Sequence, residues 1–171
     1  MYSHIHFIFL FFLFGCMDVS FFMSSFSLWK MSSESEVFFG FADENSWHTR
    51  SISSMSWVIF TPQCQFLYSW GICLGDGTNN VTKYNTVIEL LRDSLLHGIS
   101  HLWVYLDAQL VVSQLNGVYC IYDPTLHRRF FRVCLLEWCF DYITYIHVPR
   151  RLNQMTYTLA NQVLDWNIAH A

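Results

Sequence analysis

The order of the hydrophobic patterns after residue 37 constrains the fold more than any other feature of this sequence. Three short apolar runs rich in β-forming residues come first, and a turn containing Pro62 joins the second to the third, which is typical of an antiparallel hairpin. A stretch with helical periodicity follows, and strand-like and helix-like segments then alternate. This order predicts an α/β fold in which helices cover the faces of a mixed sheet.

The individual strands and helices are predicted from the spacing of apolar residues. The predicted strands comprise residues 37–41, 56–60, 66–74, 101–107 and 142–148. The first helix follows the turn signal GDGTNN, and we expect it to end near Gly98. Four segments have helical signals. In the first and the last, apolar residues recur at helical spacing, at Tyr84, Ile88, Leu91 and Leu95 and at Met155, Leu159 and Val163. The two segments between them are residues 108–117 and 126–139.

The first 36 residues differ in composition from the remainder. Eleven of the sixteen Phe residues lie within the first 41 positions, and residues 7–17 form an apolar run of eleven. A bilayer span takes about 20 residues, and no Lys or Arg precedes the run as in a signal peptide. A poor signal or anchor, a membrane-surface segment and a leader without selected structure remain open, and the absence of a 3.6 or 2.0 period favours the last. We expect residues 1–36 to be a poorly structured Phe- and Ser-rich leader and residues 37–168 to be one domain.

Charge and cysteine content exclude some classes of protein. Nine Lys and Arg residues stand against thirteen Asp and Glu residues, which excludes a globally basic nucleic-acid binder but allows a local basic patch. The six Cys residues are spaced neither as a zinc fold nor as a disulfide framework, so we expect free thiols in a reducing compartment. The cytoplasm or the nucleus is therefore favoured, and secretion or membrane attachment through residues 1–17 is the lesser alternative.

Three sequence blocks resemble one known family. They read TNNVTKYNTVIELL, LDAQLVVSQLNGVYCIYDPTL and HVPRRLNQMTYTLAN. In this order they resemble the ribonuclease H-like domain of plant retrotransposon polyproteins and related plant reverse-transcriptase-like proteins, over about residues 37–166. The resemblance implies a ribonuclease H-like fold, with three antiparallel strands followed by two parallel-type strands. It also implies Mg²⁺-dependent hydrolysis of the RNA strand of RNA–DNA hybrids.

The family's metal site shows how far this sequence departs from the pattern. Its two Mg²⁺ ions, about 4 Å apart, are held by carboxylates from the first strand, the first helix, the end of the fourth strand and the last helix. The resemblance places these four positions at Gly40, Lys83, Asp107 and Tyr157, so Asp107 alone is retained. Asp43 would substitute for Gly40 only if the strand register shifted, which we do not expect.

Lys83 is expected to place an ammonium group in the metal site and to form a salt bridge with Asp107. We therefore predict a degenerate, catalytically inactive copy that binds Mg²⁺ weakly through Asp107 or not at all. Asp107 also follows a strand and precedes a helix, where an Asp commonly caps the helix, and we expect it to cap as well. The pairs His4/His6 and His97/His101 are compatible with metal ligation, but His97 and His101 lie at a junction between a helix and a strand and are interpreted as solvated turn residues.

Nucleic-acid binding remains open on sequence grounds. Five of the nine basic residues are Arg128, Arg129, Arg132, Arg150 and Arg151, and the first three are candidates for phosphate contacts. The resemblance adds candidates for contacts to sugar or base edges, which are Asn79, Asn80 and Gln109. A solvated helix face and simple helix caps are equally good interpretations of these residues.

Three functions are compatible with this sequence. The first is a non-catalytic module that binds RNA–DNA hybrid or other nucleic acid weakly, without an obligate protein partner. The second is a transposon remnant without selected function, and the third is a hybrid ribonuclease that is still active. We do not expect a membrane partner.

Overall fold

A computed structural model describes residues 36–47, 52–74 and 79–169 of the 171-residue chain. The chain divides into two units, Met1–Glu36 and Val37–Ala171, and every element below belongs to the second. The interpretations of the leader, of its apolar run and of His4 and His6 fall on residues outside the described ranges.

Five strands form one mixed sheet. They are β1 (Phe38–Trp47), β2 (Ile52–Phe60), β3 (Phe66–Leu74), β4 (His101–Leu106) and β5 (Tyr142–His147). Their order across the sheet is β3-β2-β1-β4-β5. β1, β2 and β3 pair antiparallel, whereas β4 pairs parallel with both β1 and β5. The predicted five-stranded α/β sheet is confirmed.

Within the described residues, four α-helices accompany the sheet. They are α1 (Asn79–Leu96), α2 (Gln109–Leu115), α3 (Pro124–Glu137) and α4 (Gln154–Ala169), and a 3₁₀ turn (Arg150–Leu152) precedes the last. The Asp123 carboxylate caps α3 by accepting hydrogen bonds from the N–H groups of Thr125 and Leu126, and Pro124 provides a favourable first helical residue. No helix within the described residues is long and apolar enough to cross a membrane.

β1 and β2 extend beyond the apolar runs that predicted them. β1 continues through Asp43, Glu44 and Asn45 to Trp47, and β2 already begins at Ile52. The two strands pair continuously from Phe39 opposite Phe60 to Trp47 opposite Ile52. Because the ladder hydrogen bonds satisfy backbone groups whatever the side chains are, the pairing carries the strands past the apolar pattern. This extension places two acidic residues inside a strand.

Helices cover both faces of the sheet, as the alternation along β2 shows. Trp57 and Ile59 point into an apolar core that they share with α1 residues such as Leu91. Ser54 and Ser56, at the alternate positions of the same strand, point to the other face. There their hydroxyls donate hydrogen bonds to carbonyl oxygens of α4 at 2.8 and 2.6 Å. Full burial of each large apolar side chain contributes about 1.5–3 kcal/mol, so the α1 face supplies most of the apolar stabilisation.

Candidate functional site

An acidic pocket lies at the carboxyl ends of the two central parallel strands. The parallel pairing of β1 with β4 ends at Ala42 and Leu106. Asp43 and Asp107 directly follow this last pair and therefore lie side by side at the carboxyl ends of the paired segments. Ligands of α/β folds bind at the carboxyl ends of the strands. The residues that line the acidic pocket are Ala42, Asp43, Glu44, Lys83, Thr86, Leu106, Asp107, Ala108 and Val111.

Asp43 is the most deeply buried carboxylate of the pocket. Its side chain has no exposed surface, its Oδ1 accepts a hydrogen bond from the Glu44 N–H at 2.8 Å, and its Oδ2 has no hydrogen-bond partner among the described residues. Burial and, secondarily, the charge of Asp107 raise the pKa of Asp43 from 3.8 to about 7, against the opposing effects of that N–H and of Arg150. Asp43 is therefore partly protonated near neutral pH.

Glu44 and Lys83 form the first ion pair of the pocket. The Lys83 Nζ lies 3.5 Å from the Glu44 Oε1, and the Glu44 side chain is 4% exposed. Burial raises the pKa of Glu44, although the attraction of Lys83 opposes this shift. Lys83 therefore compensates a carboxylate that comes from β1.

Arg150 forms the second set of ion contacts. Its Nε donates a hydrogen bond to the Asp107 Oδ2 at 3.0 Å, and its Nη2 lies 4.0 Å from the Asp43 Oδ1. Its Cζ lies 4.9 Å from the ring centroid of Tyr157 on α4, a cation–π contact. Partial burial alone would lower the pKa of Arg150, but the hydrogen bond to Asp107 and the nearby carboxylates outweigh it and raise that pKa.

The structure corrects the position expected for the first-strand carboxylate. Gly40 is buried, and a Cβ at this position would lie 3.0 Å from both terminal methyl carbons of Leu90 on α1. Gly40 therefore belongs to the apolar core, and Asp43 is the residue beside Asp107. The register needs no shift for this, because β1 is longer than its apolar run. The expectation that a single carboxylate remains at the site is wrong, since three converge there.

Two further expectations about the site are corrected. Lys83 pairs with Glu44 rather than with Asp107, whose carboxylate is held by Arg150. Asp107 does not cap α2 either, because the N-cap residue is Ala108 and no side chain makes a capping hydrogen bond there. Tyr157, expected at the position of the last-helix carboxylate, lies beside the site through its contact with Arg150.

Two important residues were missed as members of the site. The sequence identifies Arg150 only as one of several basic residues, and no sequence pattern singles out Glu44. Glu44 would have been found if the strand had been extended through Asp43. No local pattern identifies Arg150 as a partner of residues that are 43 and 107 positions earlier in the chain.

The candidate nucleic-acid residues lie on three helices, and two of these, α1 and α2, also contribute residues to the pocket lining. Asn79 and Asn80 begin α1 and Gln109 begins α2; Asn80 is half-buried, Gln109 is exposed, and the Asn79 side chain lies outside the described set. Arg128, Arg129 and Arg132, here called the α3 arginine patch, lie along α3, the first and last exposed and Arg129 half-buried. None of the three has an acidic partner within 4.0 Å among the residues described.

His97 and His101 do not form a ligand pair. His97 contacts the Asp93 carbonyl oxygen at 2.8 Å and the Tyr68 ring, whereas His101 contacts the Ser100 hydroxyl and stacks on Tyr142. The cysteines within the described residues are free thiols.

The pocket does not fit the two-metal site that the resemblance implies. Carboxylates are the ligands that Mg²⁺ prefers, and three are present. Each of them, however, lies within 4.0 Å of a Lys or Arg side chain. Within the described ranges, no group of three or more His, Cys, Asp and Glu side chains is placed to hold a metal ion. Lys83 and Arg150 therefore lie beside the carboxyl groups to which metal ions would bind.

A family model described as "Reverse transcriptase-like" matches residues 43–163 of this chain. The chain belongs to this family. Its domain is ribonuclease H-like, and the family includes ribonucleases that act on RNA–DNA hybrids.

Individual relatives are archaeal and bacterial. Ribonuclease HI of Halobacterium salinarum is 32% identical over 113 residues, which are 66% of this chain and 57% of that protein. The bifunctional protein Rv2228c of Mycobacterium tuberculosis is 34% identical over 92 residues, 54% of this chain and 25% of that protein. The chain thus matches less than two thirds of the length of these relatives.

Solved structures show the same fold. The crystal structure of RNase H1 from Halobacterium salinarum has a TM-score of 0.73 at 29% identity, covering 75% of this chain and 98% of that one. The N-terminal RNase H domain of rv2228c has a TM-score of 0.74 at 28% identity, covering 80% and 100%. LC11-RNase H1 in complex with an RNA/DNA hybrid, at 24% identity and a TM-score of 0.72, shows the shared fold, covering 77% of this chain and 99% of that one.

Proposed function

We propose that the chain is a ribonuclease H-like module that binds RNA–DNA hybrid or related nucleic acid weakly and has lost Mg²⁺-dependent hydrolysis. The observation that carries the proposal is the engagement of all three pocket carboxylates by Lys83 and Arg150. A unit positive charge about 4 Å from another is repelled by roughly 4 kcal/mol at an effective dielectric constant of 20, and a divalent ion is repelled more. The loss is therefore attributed to the ion pairs of the pocket together with the two carboxylates that the resemblance implies and that Lys83 and Tyr157 replace.

The α3 arginine patch supports the binding part of the proposal. Its residues lack acidic partners among the described residues and are available for phosphate oxygens. Phe131 lies on the same helix between Arg128 and Arg132 and is 55% exposed. An exposed ring beside cationic side chains suits stacking on an unpaired base. The net charge of −4 gives no long-range attraction, so the binding is weak and strongly salt-dependent.

A cleavage assay and a binding assay test the two parts separately. Full-length protein is incubated with a labelled RNA–DNA hybrid and MgCl₂, and we expect no cleavage above background. Hybrid binding is measured in EDTA at several NaCl concentrations, and Arg128→Ala and Arg132→Ala are each expected to weaken it. Arg92→Ala, which removes one exposed arginine from α1, is the matched control. Equal affinity of all four proteins would contradict the assignment of binding to the patch.

A hybrid ribonuclease that is still active is the second candidate. The meeting of Asp43, Glu44 and Asp107 in one pocket favours it, because an acidic cluster is the starting requirement of metal-dependent hydrolysis. Cleavage in MgCl₂ that is abolished by both Asp43→Asn and Asp107→Asn would establish this candidate and reject the first.

We also propose an origin in a retrotransposon and a location in the cytoplasm or nucleus. The three sequence blocks support the origin, and the free thiols support a reducing compartment. Fractionation of a tagged full-length protein tests the location and any attachment through residues 1–17. An undetectable or aggregating product would favour a transposon remnant without selected function.

A further inference from the structure

The helix α3 carries apolar side chains on its outer side as well as on its inner side. Its inner side packs into the apolar core, where Val133 is fully buried. On its outer side Phe131, Leu135 and Trp138 are each more than half exposed. A surface helix normally presents polar residues to solvent, and a cluster of exposed apolar side chains is typical of an interaction site. The outer side of α3 is therefore a candidate binding surface.

Two arginines share this side of the helix. Residues three, four or seven positions apart lie on one side of an α-helix, so Arg128 lies beside Phe131 and Arg132 lies beside Leu135. Trp138 is the C-cap residue of α3, and its φ of −63° and ψ of −15° continue the helical turn. These five residues are here called the outer α3 face.

The charge of the outer α3 face is positive. Glu137 is the one acidic residue of α3, and its Oε1 accepts a hydrogen bond from the Tyr145 hydroxyl at 2.7 Å. Arg128 and Arg132 have no acidic partner within 4.0 Å among the described residues. Two unpaired guanidinium groups beside apolar side chains complement a ligand that combines phosphates with flat apolar rings, which is a nucleic acid.

The exposed rings favour a single strand over a duplex. The ring centroid of Phe131 lies 4.6 Å from that of His127 and 6.0 Å from that of Phe130, both on α3, and more than half of the side chain remains exposed. Bases inside a duplex are already stacked on their neighbours, whereas an unpaired base offers its face to an aromatic side chain. A single strand would therefore use the rings and the arginines, and a blunt duplex the arginines alone.

The apolar part of the outer α3 face favours DNA over RNA. Leu135 lies between Phe131 and Trp138 along the helix. Proteins distinguish RNA by hydrogen bonds to its 2′-hydroxyl group. A ribose hydroxyl placed against Leu135 would lose its hydrogen bonds to water without gaining a partner. Deoxyribose avoids this cost.

We propose that the outer α3 face binds single-stranded DNA, with Phe131 and Trp138 stacked on unpaired bases and Arg128 and Arg132 on the adjoining phosphates. The proposal rests on the nucleic-acid binding of the proposed function and names the form of nucleic acid that α3 takes. The residues that line the acidic pocket all lie outside α3, so this binding does not depend on the state of the pocket.

Fluorescence anisotropy of the full chain in EDTA tests the proposal. Three labelled probes of equal length are compared, an oligothymidylate, an oligouridylate and a blunt-ended RNA–DNA hybrid. We expect the wild-type protein to bind the oligothymidylate more tightly than the oligouridylate, and roughly tenfold more tightly than the hybrid.

Substitutions that remove a ring but keep an apolar side chain isolate the stacking. Phe131→Leu and Trp138→Leu are each expected to weaken oligothymidylate binding roughly tenfold and to leave hybrid binding within about twofold of wild type. Phe131→Tyr keeps the ring and is expected to retain the affinity. Phe66→Leu is the matched control, because Phe66 is an exposed phenylalanine on β3.

Several outcomes would overturn the proposal. Equal wild-type affinity for the oligothymidylate and the hybrid would do so without any variant, as would unchanged oligothymidylate binding by Phe131→Leu and Trp138→Leu. Tighter binding of the oligouridylate would reject DNA as the ligand. Self-association that Leu135→Asp abolishes in analytical ultracentrifugation, without oligothymidylate binding, would assign the face to a second copy of the chain.

The same measurements separate this proposal from the proposed function. Cleavage of the hybrid in MgCl₂ rejects the non-catalytic function and leaves single-strand binding by α3 standing. Hybrid binding that Arg128→Ala weakens, without any preference for the oligothymidylate, rejects single-strand binding and leaves the proposed function standing.

Discussion

The acidic pocket and the α3 arginine patch differ in whether their charged side chains have partners of opposite charge. In the pocket, three carboxyl groups and two cationic side chains are brought together by β1, β4, α1 and the turn before α4, and each carboxyl group lies within 4.0 Å of a cationic side chain. On α3, three arginines of one short segment lack acidic partners among the described residues. Charge that is paired internally is already engaged within the fold, whereas charge that is left unpaired at the surface is available for a ligand. The residues that resemble a catalytic site are therefore the least available for external ions.

The largest effect is expected from Gly40→Asp, which moves a carboxylate to the position first assigned to it. The new side chain would press on Leu90 and bury a charge in the apolar core. We expect a loss of roughly 5 kcal/mol in the free energy of unfolding, or failure to fold, measured by urea denaturation. Gly40→Ala separates the steric part and is expected to lose about 1–3 kcal/mol. A stable Gly40→Asp protein would mean that Gly40 faces the pocket after all.

The second effect concerns Asp43 and depends on pH. Because burial raises the pKa of Asp43 from 3.8 to about 7, the folded chain keeps a proton between about pH 4 and pH 7 that the unfolded chain loses. The contribution of Asp43 to the free energy of unfolding therefore falls as the pH rises from about 4 to about 7, and it is constant outside this range. We expect Asp43→Asn to gain up to about 4 kcal/mol relative to wild type between about pH 4 and pH 8.

Urea denaturation of Asp43→Asn and wild type across this pH range checks the expectation. The exposed Asp141→Asn provides a carboxylate-to-amide control outside the pocket. Parallel pH profiles for Asp43→Asn and wild type would show that burial in the pocket does not change the titration of Asp43.

A third, intermediate effect is expected when one partner of a buried ion pair is removed. Lys83→Met leaves the Glu44 carboxylate, which is 4% exposed, without its cation. We expect a loss of about 3 kcal/mol at neutral pH. Arg92→Ala breaks the exposed pair with Glu89 on the same helix and is expected to lose less than about 1 kcal/mol. Equal losses in the two variants would show that burial does not distinguish these ion pairs.

The smallest effect on stability is expected on the α3 arginine patch. Arg128→Ala and Arg132→Ala should change the free energy of unfolding by less than about 0.5 kcal/mol, because the side chains are exposed. Each should nevertheless lower the salt dependence of hybrid binding by about one phosphate contact. A patch variant that destabilises the fold while keeping full affinity would reverse the assignment of roles to the two regions.

Local sequence patterns predicted the sheet well and the site less well. The apolar runs located all five strands, and the spacing of Tyr84, Ile88 and Leu91 located α1, because these patterns report burial directly. The end of β1 was misplaced, since Asp43 and Glu44 interrupt the apolar pattern while backbone pairing with β2 continues. This single error removed both acidic residues from the predicted site and placed Gly40 there instead.

The sequence by itself determined the order of strands and helices, the ribonuclease H-like character of the domain and the presence of Asp107 after β4. These features depend on local periodicity and on short motifs whose residues are close together in the chain. The tertiary structure alone decided that Asp43 lies beside Asp107, that Lys83 pairs with Glu44 and that Arg150 contacts two carboxylates and Tyr157. Ion pairing depends on distance in space, and these partners are separated by 39 to 107 positions, so only the folded chain determines which charges neutralise one another.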